Sequence, residues 1–109
     1  MRKILDGFRF DTETATPIGS AENLGRGADN KTDQQWWVAT LYRTPRGARY
    51  FLAGIGGPMT RFAQGEGVNT WSEGSGIIPL SDDDAFDWAQ RWLSTEDIEA
   101  AFADRIEKA

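Results

Sequence analysis

Residues 35 to 55 read QWWVATLYRTPRGARYFLAGI, two alternating apolar runs on either side of Thr44-Pro45-Arg46-Gly47. Side chains on a strand alternate between faces, so runs of this kind predict paired strands. Pro45 presets φ for the second position of a type I turn, and Gly47 accepts the left-handed conformation of a following G1 bulge. That turn sets Thr44 opposite Ala48 and Arg43 opposite Arg49. In this register Trp37, Ala39 and Leu41 share one face with Phe51, Ala53 and Ile55, and Trp36, Val38 and Tyr42 share the other with Tyr50 and Leu52. Both faces are apolar. The hairpin is therefore expected at the centre of the fold, covered by helices on one side and by loops or a partner on the other.

Working outward, Asp6-Gly7 sits between Lys3-Ile4-Leu5 and Phe8-Arg9-Phe10. This dipeptide readily supplies the positive φ angles of a two-residue type I′ turn, so residues 2–11 read as a second hairpin. Residues 12–20 are rich in threonine and carry Pro17, which suits an edge strand because proline donates no ladder hydrogen bond. Residues 21–34 shift to Gly, Asn, Asp and Lys with almost no large apolar group and read as a mobile loop. After Gly54-Ile55-Gly56-Gly57, a second glycine-rich stretch (64–76) carries Trp71 and leads into a short strand at 77–80.

The pattern then changes to helical. Ser81 is placed as an N-cap with Asp82 and Asp83 to complement the helix dipole, and Ala85, Phe86, Trp88, Ala89, Trp92 and Leu93 form one stripe. Ser94 repeats the cap, and Ile98, Ala101, Phe102 and Ile106 recur at helical spacing. The expected fold is a single α+β domain over residues 1–109. Its small antiparallel sheet comprises hairpins 2–11 and 35–55 with strand 77–80, packed by two C-terminal helices at 82–93 and 95–107.

The 109 residues contain neither cysteine nor histidine, with 12 Lys or Arg against 17 Asp or Glu. This excludes a disulfide framework, a thiolate nucleophile, a Ser-His-Asp triad and the usual zinc ligand sets. No catalytic residue, metal ligand or cofactor is assigned. Glu66 and Glu73 are the only carboxylates of the second glycine-rich stretch and the only candidates for a carboxylate-based reaction. The glycines at 54–57 lack the Lys-Ser/Thr of a phosphate loop and read as turn geometry or close backbone packing. The basic start reaches Asp6-Gly7 before any leader-length apolar run develops, which points to the cytoplasm and away from the membrane.

Charge is segregated. Residues 41–63 carry Arg43, Arg46, Arg49 and Arg61 and no acid, whereas residues 81–109 carry nine acids against three bases. Asp82, Asp83, Asp84, Glu96 and Asp97 sit at the two helix starts, where dipole complementarity accounts for them without mimicry of a nucleic acid. Trp88 and Trp92 fall on the helix stripe and read as core. Trp36 and Trp37 are adjacent on a strand and must face opposite ways, which leaves one of them outside. Exposed tryptophan beside tyrosine and arginine is the residue mix of interface hot spots. The expected partner-binding face is Trp36, Tyr42, Arg43, Arg46, Arg49, Tyr50, Arg61 and Trp71.

The order of FDTETAT (10–16), LYRTPRG (41–47), an aromatic strand, GGPMTRFA (56–63), IIPLS (77–81) and an acidic helix with tryptophan resembles small proteins of bacterial mobile elements, carried on phages, plasmids and integrative elements. Some such accessory proteins are anti-CRISPR proteins. The resemblance implies a non-catalytic inhibitor that binds a host defence complex such as a bacterial CRISPR effector. It assigns no catalytic residues. The alternatives are a nucleic-acid-binding accessory factor using the same arginines and, third, a small carboxylate-based enzyme.

Overall fold

The fold is described from a computed structural model that covers residues 1–31, 34–46, 49–57, 60–62, 64–65, 71–72 and 74–109. Strands β1 (Arg2–Leu5) and β2 (Phe8–Asp11) form the N-terminal hairpin. Its turn is as expected, with Asp6 at φ 53° and Gly7 at φ 81°, the double positive φ that a type I′ turn requires. Strands β3 (Thr16–Glu22), β4 (Trp37–Arg43), β5 (Tyr50–Gly56) and β8 (Gly74–Leu80) make an antiparallel sheet in the order β3-β4-β5-β8. The edge strand is β3, which takes only residues 16–20 of the expected 12–20 segment and runs on to Glu22, because residues 12–15 turn on the Asp11 carbonyl, which accepts from Thr14 N and Ala15 N; the register shifts between Pro17 and Gly19. Short strands β6 (Gln64–Gly65) and β7 (Trp71–Ser72) pair with each other within the β5–β8 connection.

Helices α1 (Asp82–Trp92) and α2 (Thr95–Phe102) follow, then a 3₁₀ turn over Ala103–Arg105. The α+β architecture stands, and both predicted caps are made. Ser81 Oγ accepts from Asp84 N at 3.1 Å and Ser94 Oγ accepts from Asp97 N at 3.2 Å. The second helix is shorter than expected and stops at Phe102. Ile106, placed on its apolar stripe by spacing, is 41% exposed. The tighter turn brings Arg105 back to the start of α1, where it donates to the Asp82 carbonyl at 3.0 Å and pairs with the Asp83 carboxylate at 2.7 Å.

The central hairpin forms, but its register differs from the expected one. Arg43 stands opposite Tyr50 and Leu41 opposite Leu52. The closing pair is Thr44 with Arg49, one residue later than the G1-bulge turn would give, and Thr44 N donates to Arg49 O at 2.8 Å. The Thr44 hydroxyl explains the longer turn: it donates to the Arg46 carbonyl at 2.8 Å and accepts from Arg49 N at 3.1 Å. Gly47, on which the shorter turn rested, lies outside the described residues.

A slip of one residue exchanges the faces of one strand relative to the other. Ala39 and Leu41 therefore join Tyr50 and Leu52 against Ala85, Ala89 and Phe102 of the helices. Phe51, Ala53 and Ile77 turn to the opposite face, where Phe10 and Ala15 cover them and Tyr42 packs alongside. The sheet is covered on both sides, and the N-terminal hairpin with the segment after it supplies the second layer.

Close packing accounts for a glycine of the 54–57 run. A Cβ on Gly54 would overlap the Val38 carbonyl oxygen and lie 2.8 Å from Ala39 Cα. The polar stretch after β3 also has an anchor. Asn23 is 5% exposed; its Nδ2 donates to Gln35 O at 2.7 Å and its Oδ1 accepts from Trp37 N at 2.8 Å. Backbone bonds from Arg26 N and Ala28 N to Asn23 O fold the turn around it.

Candidate functional site

The register of the central hairpin decides where its arginines go. Arg43 and Tyr50 are opposite one another on the helix face and border a hollow of about 320 Å³ with Asp82 and Arg105. Tyr50 is not available to a partner: it is 8% exposed and stacks on Phe102 with ring centroids 5.4 Å apart. Arg49 precedes Tyr50 and so points to the other face. There its guanidinium carbon lies 3.7 Å from the centroid of Phe8, carried by the β1–β2 hairpin.

Arg9 and Arg46 border the same depression, whose volume is about 460 Å³ and whose floor and rim include Phe8, Phe10, Thr14 and Pro45. All three arginines are exposed, and no carboxylate is among the described residues that line it. The ion pair of Arg105 with Asp83 is the one salt bridge formed among the described residues, so none of these three guanidiniums is paired with a described acid. A guanidinium stacked over an aromatic ring keeps its in-plane N–H donors free. Stacking on Phe8 thus orients Arg49 for bidentate pairing with a phosphate or carboxylate. This arginine ledge is a geometry suited to an anion, built from two separate hairpins.

The ledge overlaps only in part with the face expected from sequence. Trp36 is 9% exposed, and its indole N–H donates to the Glu22 carboxylate at 3.3 Å. Tyr42 is half-buried and stacks on Phe51 at 5.1 Å with an interplanar angle of 9°. Trp36, Tyr42 and Tyr50 are therefore packing residues and not an exposed aromatic face. Arg46 and Arg49 are brought together, Arg43 is on the opposite face, and Arg61 lies at the far end of the sheet. The side chain of Trp71 lies outside the described residues, as do Glu66 and Glu73. Phe8 and Arg9 were missed because no local pattern announces that the N-terminal hairpin will lie beside the β4–β5 turn.

A second concavity opens at the other end of the sheet and on its helix face. Trp37 from β4 meets Trp92 of α1 edge-on at 4.6 Å and lies 6.0 Å from Trp88. With Leu52, Phe62, Arg61 and Arg91 they line a cleft of about 410 Å³. Trp37 owes its place to the Asn23 clamp, which holds its backbone N–H.

Among the described residues no three acidic side chains group closely enough to hold a metal ion, and no helix is long and apolar enough to cross a membrane. No family model, curated protein or solved structure matches the chain.

Proposed function

We propose that the protein is a non-catalytic binding protein of a bacterial mobile element, acting in the cytoplasm to inhibit a host defence complex such as a CRISPR effector. Its contact surface is the arginine ledge of Arg9, Arg46 and Arg49 with Phe8. The observation that carries this reading is the convergence of three arginines, drawn from two separate hairpins, on one exposed depression with no acid among its described lining. An anionic surface of the target complex, whether acidic side chains or the phosphates of a bound guide, is the complementary chemistry. The resemblance of the ordered motifs supplies the biological setting. The absence of cysteine and histidine from the sequence is consistent with action by binding.

Affinity capture of the tagged protein from bacteria expressing CRISPR effectors, with and without nuclease, tests the reading. Recovery of an effector subunit that survives nuclease and is lost on Arg46→Glu with Arg49→Glu is the expected result. Recovery of nucleic acid alone overturns inhibition in favour of an accessory factor that uses the same ledge. Salt then identifies the contact: three phosphate contacts give a slope of log affinity on log salt near −2 to −3, a loss of roughly 20- to 60-fold between about 50 and 200 mM.

A further inference from the structure

The cleft at the Trp37 end of the sheet has the features of a ligand site separate from the arginine ledge. Its volume, about 410 Å³, falls within the range of about 300 to 1,000 Å³ typical of small-molecule sites. Trp37, Trp88 and Trp92 are each half-buried, so indole surface remains facing the cleft after the packing contacts are made. Arg26 caps the Trp92 ring at 4.4 Å and is itself pinned by donation to the Arg91 carbonyl at 2.6 Å, which braces this wall.

Polar groups in the interior are already used. Asn23 spends its amide on Gln35 O and Trp37 N, and the Thr60 hydroxyl donates to Gly57 O at 2.8 Å. Among the described residues, what remains unspent is charge. Arg61 and Arg91 both line the cleft, both are exposed, neither forms an ion pair among the described residues, and no acid is among the described lining. Indole walls select a flat ring by edge and offset stacking, and guanidiniums select a carboxylate or phosphate.

We infer that this cleft binds a small aromatic anion, its ring against Trp88 and Trp92 and its charged group at Arg61 and Arg91. The cleft lies on the opposite face and at the opposite end of the sheet from the ledge, so the two sites fail or stand independently.

Titration of the full chain with phenylacetate, phenyl phosphate and neutral phenylacetamide, followed by the indole N–H resonances of ¹⁵N-labelled protein, tests the inference. Saturable shifts of the Trp37, Trp88 and Trp92 signals are expected, with one or both anions binding about tenfold or more tighter than the amide. Arg61→Gln with Arg91→Gln should remove that preference while the remaining spectrum, and hence the fold, is unchanged. The tighter of the two anions identifies the charged group. Indole signals that stay in place at about 10 mM of either anion, the range of non-specific contact, overturn the site. Equal affinity for anion and amide overturns its anionic character.

Discussion

Two residues that carry no charge and offer no chemistry do much to set the geometry of the central sheet. Gly54 lets β4 approach so closely that a methyl group there would overlap the Val38 carbonyl oxygen, and that atom belongs to a backbone held on both sides by neighbouring strands. Gly54→Ala should therefore destabilise the protein by about 1 to 3 kcal/mol, the range for forcing extra volume into a packed site. Urea unfolding measures this as a lowered midpoint, and an unchanged midpoint would show that the strands can part without cost. Thr44 works in the opposite sense, since its hydroxyl makes one bond to Arg46 O and one to Arg49 N. Those two bonds select the longer turn and with it the register. The Pro-x-Gly pattern signalled a turn correctly, but a threonine hydroxyl that competes for turn backbone leaves no mark in an apolar/polar pattern. The placement of Tyr50 follows from that single step: in the expected register it shares a face with Tyr42, and in the observed one it is buried against Phe102.

At the level of elements, local signals that depend on one or two neighbouring residues were legible, and those that depend on tertiary placement were not. The Asp6-Gly7 turn and the caps at Ser81 and Ser94 are of the first kind, because a positive φ or a hydroxyl before a helix has its cause within a few residues. The end of α2 is of the second kind. Ile106 keeps helical spacing, yet Arg105 gains a carboxylate, a carbonyl and the face of Phe86 at 4.7 Å by leaving the helix. The ledge follows the same division: Arg46 and Arg49 were legible as a turn cluster, whereas Phe8 and Arg9 enter only through the docking of another hairpin. Ser81→Ala tests the cap on α1, the longer helix and the one that carries two walls of the tryptophan cleft. Loss of the bond to Asp84 N should cost about 1 kcal/mol, read as a shift in urea midpoint at constant slope. A larger loss would mean that Ser81 supports more than the first turn.

Over the whole molecule, the sheet is the shared wall of two cores. Ala39, Leu41, Tyr50 and Leu52 face the helices, while Phe51, Ala53 and Ile77 face Phe10 and Ala15. Neighbouring residues of one strand thus belong to opposite layers, so neither layer can lose its packing without moving the backbone of the other. The ledge and the cleft depend on this coupling, because the first needs the N-terminal hairpin in place and the second needs α1 against the sheet. Phe10 is 4% exposed and meets Phe51 edge-on at 5.6 Å, so Phe10→Ala should cost about 3 to 5 kcal/mol, the usual range for a buried phenylalanine. The informative quantity is where that loss is felt. Trp37, Trp88 and Trp92 report from the helix face, so their indole N–H resonances and far-UV circular dichroism should shift together to the same lower midpoint in one transition. Indole resonances of these three residues left at the original midpoint would mean that the hairpin is a separately melting cover, and the ledge would then open and close without disturbing the cleft.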